Sequence, residues 1–321
     1  MGRNAVKPPR PSVTNVTEIQ EPSAERALTA LRWAADVGTQ EAELSACPPK
    51  PTAADHRAVS IEAARAQMDR LLMGKNTEEG LDALHLTGAL DVWMPEVAGL
   101  VGFGDGEWRH KDVWKHTKQV VWQSVPRIAV RWGALLHDIG KPKTRRIEPN
   151  GDVHFHGHSE VGAAMFRKRV GERLGFDREL FDRIHYLILH HLRASQYDPD
   201  WTDAAVRRFA KDMGEGLTDL LDLSRADITT KRPEKKKRGL QQISDLAARI
   251  RRIQEEDSVV APLPKGVGTA LMVHFKLAPG RHIGDLKRQL EDCVEAGEIK
   301  GGLTSEEYVA WVETQRERFG L

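Results

Sequence analysis

An all-α fold is expected from three features of the sequence. Apolar residues recur at helical spacing along most of the chain, strand-type alternation is scarce, and Ser, Gly and Pro fall where helices would start and stop. The 321 residues suffice for two or three small domains. With 40% hydrophobic and 30% charged residues, the balance is that of a globular chain. Acids (47) and bases (48) nearly cancel, so only local patches could select a polyanionic partner. Two cysteines, Cys47 and Cys293, are too few for a disulfide framework or a cysteine zinc site, and point to a cytoplasmic setting. No stretch approaches the roughly 20 apolar residues of a membrane span, so no membrane partner is expected.

Residues 1–22 are rich in Pro, Asn, Thr and Val without a period and read as a disordered arm. A helix over 24–37 places Ala27, Leu31, Ala34 and Ala35 on one face, with Gly38 as its stop. Residues 39–57 read as a linker. The next helix, 60–73, has Ser60 as N-cap and an apolar stripe of Ile61, Ala64, Met68, Leu71 and Leu72. Shorter helices are expected over 77–88 and 91–101. The block 107–232 is dense in helical pattern and holds nine of the 13 histidines. The basic run Lys231 to Arg238 closes it. A long helix over 239–256, a connection over 257–268, and helices over 283–296 and 304–317 complete the chain.

Chemistry concentrates in the central block. An apolar helix in 130–142 delivers His137 and Asp138 and stops at Gly140, with Pro142 beyond. Adjacent helical side chains diverge by about 100°, so the two rarely serve each other, but a metal seated between them can accept both. Helical spacing also turns His116 inward beside Val113 and Val120, and His191 inward with Phe181, Ile184 and Ile188. His158 shares the stripe of Val161 and Met165. Asp227 lies on the flank of an apolar helix over 215–228, where a carboxylate must be paired, solvated or metal-bound. One inward histidine is ordinarily a hydrogen-bonded core residue. Several on successive helices, with two aspartates, suit a metal site in a bundle core.

These residues stand in recognisable motifs: RHKDVWKHT (109–117), ALLHDIGKPKTRR (134–146), HFHGHSEVGAAMF (154–166), WTDAAVRRFAKDMG (201–214) and LSRADITT (223–230). The order His116, His137-Asp138, Asp227 resembles the HD superfamily of metal-dependent phosphohydrolases. More narrowly, residues 60–320 resemble the body, HD domain and tail of bacterial tRNA nucleotidyltransferases, the CCA-adding enzymes. Body-like residues are 69–97 and tail-like residues 278–299. The resemblance implies a neck and body over 23–106, an HD domain over 107–232 and a helical tail over 233–321. It implies His116, His137, Asp138 and Asp227 as ligands of a divalent ion (Mn, Ni, Co, Fe or Mg). His158 and His191 match positions that hold a second ion, with phosphate contact as the alternative. Lys141 is placed to neutralise a substrate phosphate; its other reading is a lysine favoured by a helix C-terminus.

The departures bear on activity. Within these residues no Gly-rich strand-loop carries an Asp-x-Asp pair, and too few residues precede the neck to hold the family's polymerase head. The segment RALTALRWAADVG (26–38) resembles the helix that templates nucleotide choice. Arg26 and Arg32 match its arginines, while Pro22, Ser23 and Thr29 depart from it, as do Ala63 and Gln67 in the next helix. Nucleotide transfer by these residues alone is therefore not expected. The expected activity is metal-dependent phosphohydrolysis, with His137, Asp138 and Lys141 at the reacting phosphate of a nucleotide, a cyclic phosphate or an RNA end. The alternative is a tRNA- or RNA-binding module, or one part of a split nucleotidyltransferase. Lys143, Arg145 and Arg146 would gather the polyanion, with Arg26 and Arg32 touching nucleotide.

Overall fold

The protein is represented by a computed structural model that describes residues 23–104, 112–259 and 263–321. The expected arm, 1–22, lies outside the described residues, as do Arg109, His110 and Lys111. The fold is all-α, with 69% of residues helical and one small hairpin. Helices of eight or more residues are α1 (Ala24–Thr39), α2 (Ile61–Leu72), α3 (Thr77–Leu86), α4 (Val113–Gln123), α5 (Ile128–Leu136), α6 (His158–Met165) and α7 (Arg178–His190). They continue with α8 (Asp203–Met213), α9 (Leu217–Ala226), α10 (Pro233–Val259), α11 (Val267–Phe275), α12 (Arg281–Glu295) and α13 (Ser305–Thr314). Strands β1 (Arg146–Ile147) and β2 (Val153–His154) pair antiparallel, Arg146 opposite His154.

The helices start where short polar side chains can close the first turn. The hydroxyls of Ser23, Ser60 and Thr202 accept from backbone N–H groups of α1, α2 and α8, and the carboxylates of Asp112 and Asp177 do so for α4 and α7. Three expectations shift. The apolar helix ends at Leu136, and the HDIG segment follows as a tight turn before a short helix, Lys141–Thr144, with Pro142 in its first turn. The segment 91–101 forms two short helices, Ala89–Trp93 and Pro95–Ala98, because Met94 before the proline leaves the helical region. The basic run is itself helical: α10 starts at Pro233, so the run occupies its first turns.

Two apolar cores form. One runs continuously from Ala27 to Ile253 and includes Ile243, Leu246 and Ile250 of α10. The other joins Val267 and Leu271 of α11 to α12 and α13 through Leu290, Tyr308 and Val312. Polar ties lock α1–α3 to the helices that follow. The Trp132 indole on α5 donates to Asp69 on α2 (2.7 Å), and Lys118 on α4 pairs with Asp82 on α3 (2.5 Å). Arg173 donates to both oxygens of buried Glu96 (2.8 and 3.1 Å). Burial alone would raise Glu96; the Arg173 hydrogen bonds and charge outweigh it and hold the carboxyl below its ordinary range. A lowered native pKa stabilises the fold above the unfolded value, and that contribution fades as pH falls through the native one. Glu96→Gln should therefore lower stability at neutral pH by about 2 kcal/mol in denaturant titrations. Its deficit should shrink in titrations carried below the ordinary glutamate range, as pH falls through the lowered native value and the wild-type carboxylate takes up its proton.

Candidate metal centre

Three helices end at one point. His137 caps the C-terminus of α5, His191 that of α7 and Asp227 that of α9. Their terminal carbonyls present partial negative charge, which favours a cation. His116 enters from α4, and His158 opens α6 just after Gly157, whose φ is +74°. Gly140 makes the closure possible. A Cβ built there would lie 2.1 Å from the His158 carbonyl oxygen, so only glycine lets the turn after Asp138 meet the start of α6.

The donor atoms form two groups, His116/His137/Asp227 and Asp138/His158/His191, each within 4.8 Å. Asp138 sits between them. Its Oδ2 lies 3.4 Å from His116 Nε2, 3.2 Å from His137 Nε2 and 2.6 Å from Lys141 Nζ. Its Oδ1 faces His158 Nε2 at 3.4 Å, is buried, and has no hydrogen-bond partner among the described residues. Asp227 Oδ1 lies 3.1 Å from His116 Nε2. The Asp227 side chain is 28% exposed and that of His137 1%, so the cluster opens on the Asp227 side.

Backbone carbonyls orient the rings. The Nδ1–H groups of His137, His158 and His191 donate to the carbonyls of Ala134, Phe155 and Ile188, each at 2.8 Å. A carbonyl can only accept, so each Nδ1 carries a proton and each Nε2 is the nitrogen turned inward toward the other donors. Thr229 Oγ1, 2.8 Å from His116 Nδ1, is placed to do the same for the fourth ring. The inward nitrogens then face one another: His116 and His137 at 3.3 Å, His158 and His191 at 3.1 Å. Two such nitrogens at hydrogen-bond distance repel unless a proton or a metal cation lies between or beside them.

Charge balance differs between the groups. Burial disfavours imidazolium at His137, yet Asp138 and Asp227 outweigh it and raise its pKa. Burial also opposes ionisation of Asp138 and Asp227, but His137, Lys141 and His116 hold the first well below the carboxylate range, and His116 and His137 hold the second below it. Burial, aided by the charge of His137, pushes His191 down to about 4; burial also lowers His158. That pair is therefore neutral near pH 7. Neutral imidazoles with ionised carboxylates form a donor set suited to divalent transition ions, so the residues fit a metal.

The sequence-expected residues divide by location. His116, His137, Asp138, Lys141, His158, His191 and Asp227 converge. Lys143 and Arg146 are exposed and Arg145 half-buried, on the short helix and hairpin just past the cluster. Arg26 and Arg32 stand apart on α1, paired with Asp55 (2.8 Å) and Glu25 (3.2 Å). Sequence reading missed Thr229 and the Phe155 carbonyl as orienting groups. The only trace of Thr229 was its place two residues past Asp227. Thr229→Val keeps shape but removes the Nδ1 partner, so divalent-ion affinity by calorimetry should fall about tenfold or more. Gly140→Ala should cost more affinity, because it separates Asp138 from His158.

Residues 111–232 match the HD domain family model. An A-adding tRNA nucleotidyltransferase of Deinococcus radiodurans is 31% identical over 245 residues, covering 74% of this chain and 55% of that protein. A CC-adding tRNA nucleotidyltransferase of Thermus thermophilus is 35% identical over 173 residues, covering 52% of this chain and 38% of that protein. A multifunctional CCA protein of Pseudomonas savastanoi is 33% identical over 129 residues, covering 38% of this chain and 30% of that protein. The chain thus spans about half the length, or less, of these curated relatives. No helix among the described residues is long and apolar enough to cross a membrane. The chain carries an HD domain and resembles the HD-containing part of bacterial tRNA nucleotidyltransferases.

Proposed function

We propose that this chain is a metal-dependent phosphohydrolase acting on a nucleotide, a cyclic phosphate or an RNA-end phosphoester. The supporting observation is the pair of facing Nε2 atoms on His158 and His191 beside the unpartnered Oδ1 of Asp138. His116, His137, Asp138 and Asp227 would hold one divalent ion, and Asp138, His158 and His191 a second ion or the substrate phosphate. When bound, such an ion supplies Lewis acidity toward a phosphoryl oxygen and toward the attacking water.

The protein's own groups do the rest. Lys141, salt-bridged to Asp138 and one fifth exposed, offers its ammonium to a phosphate oxygen. Carbonyl hydrogen bonds fix the imidazoles in one tautomer, so no reorganisation is needed when charge develops. The buried floor around His137 and Asp138 excludes bulk water and strengthens these interactions. Substrate would enter from the Asp227 side.

A second reading is favoured by surface charge. Lys143 and Arg146 flank the cluster on one side. Exposed Lys231 and Arg232 just precede α10, and exposed Lys235, Lys237 and Arg238 lie in its first turns; its Lys236 bonds Gln123, itself a donor to the Ala226 carbonyl beside Asp227. An RNA-binding module, or one part of a split tRNA nucleotidyltransferase, would use these cations.

Manganese- or nickel-dependent hydrolysis of a 2′,3′-cyclic nucleotide separates the readings. Asp138→Ala should lower it at least 1000-fold, about 4 kcal/mol of barrier, with helicity retained. Undiminished hydrolysis in that variant would end the enzymatic reading. Salt-dependent tRNA binding without hydrolysis in the wild type would favour the module.

A further inference from the structure

The segment after the metal centre carries side chains that phosphate chemistry alone does not need. Lys141 Nζ lies 2.6 Å from Asp138 Oδ2 and 5.6 Å from the centre of the Phe155 ring. Phe155 meets Phe103 at 6.2 Å between ring centres, tilted by 60°. The Arg145 guanidinium lies 5.7 Å from the centre of the Phe103 ring. Two adjoining aromatic rings thus lie between two cations, in a row that begins at the Asp138 carboxylate. Both rings are only partly covered. Arg145 Nε is buried and makes no hydrogen bond with the described residues.

A wall of this composition has a specific use. Phe103 packs with one side against the first apolar core, whereas Phe155 is not among the residues packed against it. Partly open rings beside a lysine and an arginine offer π-faces for a flat ligand and positive charge for its phosphate. The guanidinium plane adds a further stacking surface. The order along the wall matches a nucleotide, with phosphate at Lys141 and Asp138 and the base farther out.

We propose that Phe155, Phe103 and Arg145 form a base-binding wall, so that the substrate is a nucleoside phosphate and not a simple alkyl or sugar phosphate. The proposal rests on the reading of the metal centre as a phosphate-ester site. Phe155 would be the main specificity-determining residue, since it stands between Lys141 and Phe103. Its backbone carbonyl orients His158, and side-chain substitution leaves that hydrogen bond in place.

The test is calorimetric binding of adenosine 5′-monophosphate and of ribose 5-phosphate to the full, manganese-loaded chain, with recovered ligand checked for integrity. Adenosine monophosphate should bind about tenfold more tightly, because stacking on an aromatic side chain is worth about that much per base. Phe155→Leu should remove most of this preference by weakening the nucleotide alone, and Phe155→Tyr should keep it. If Phe155→Leu fails to fold, Arg145→Gln serves instead, with a several-fold loss for the nucleotide and none for ribose phosphate. Equal affinity for the two ligands in the wild type, or neither binding, overturns the proposal. So does a preference that survives both substitutions. A base preference in a chain that hydrolyses no phosphate ester would keep the wall and remove the phosphohydrolase reading. Equal binding and equal hydrolysis of both ligands would remove the wall alone.

Discussion

The site depends on the mutual orientation of its imidazoles. Carbonyl acceptors at Ala134, Phe155 and Ile188 fix the Nδ1 proton of three rings, so their Nε2 atoms converge around Asp138. Such an arrangement is unfavourable by itself, because lone pairs and carboxylate oxygens are gathered where water is excluded. A cation converts the same arrangement into a favourable one. The negative ends of α5, α7 and α9 act in the same direction.

The rest of the fold holds that arrangement in place. Each ligand-bearing residue lies at or near the end of a helix whose other face is packed into the first apolar core. Gly140 lets two backbone segments touch, which brings Asp138 within reach of His158. The ties Trp132–Asp69 and Lys118–Asp82 join the supporting helices to α2 and α3, and Arg173–Glu96 joins the segment after α6 to the short helix Pro95–Ala98, so the centre sits on a packed frame. The partly covered side chains Lys141, Phe155, Phe103 and Arg145 occupy the connections around it, where specificity can vary without disturbing the donor set.

Much of this was legible in the sequence because helical spacing carries it. Val113, His116 and Val120 share a face, and Ser60 starts α2 as its N-cap chemistry indicates. The motif order fixed which aspartates and histidines to compare. What was not legible depends on tertiary geometry. Thr229 orients His116 across 113 residues of sequence, and no spacing rule reports that. The hairpin was missed because two-residue strands are too short to alternate, although Asn150-Gly151 is a turn signal. Helix α11 escaped because its sequence, VGTALMVHF, is apolar nearly all round and so lacks a stripe. The long helix was expected to start only at 239, after the basic run, yet Pro233 pre-sets a first helical turn and lysine is a good helix former.

The central claim is that the convergent imidazoles and Asp138 hold a divalent ion. Elemental analysis of the full chain, stripped with chelator, re-equilibrated with manganese or nickel and freed of excess ion, tests it most directly. The account predicts one or two equivalents retained per chain, and a marked loss when His137 and Asp138 are both replaced by alanine in a folded protein. Retention of less than about a tenth of an equivalent by the wild type, or equal retention by the double variant, would contradict it.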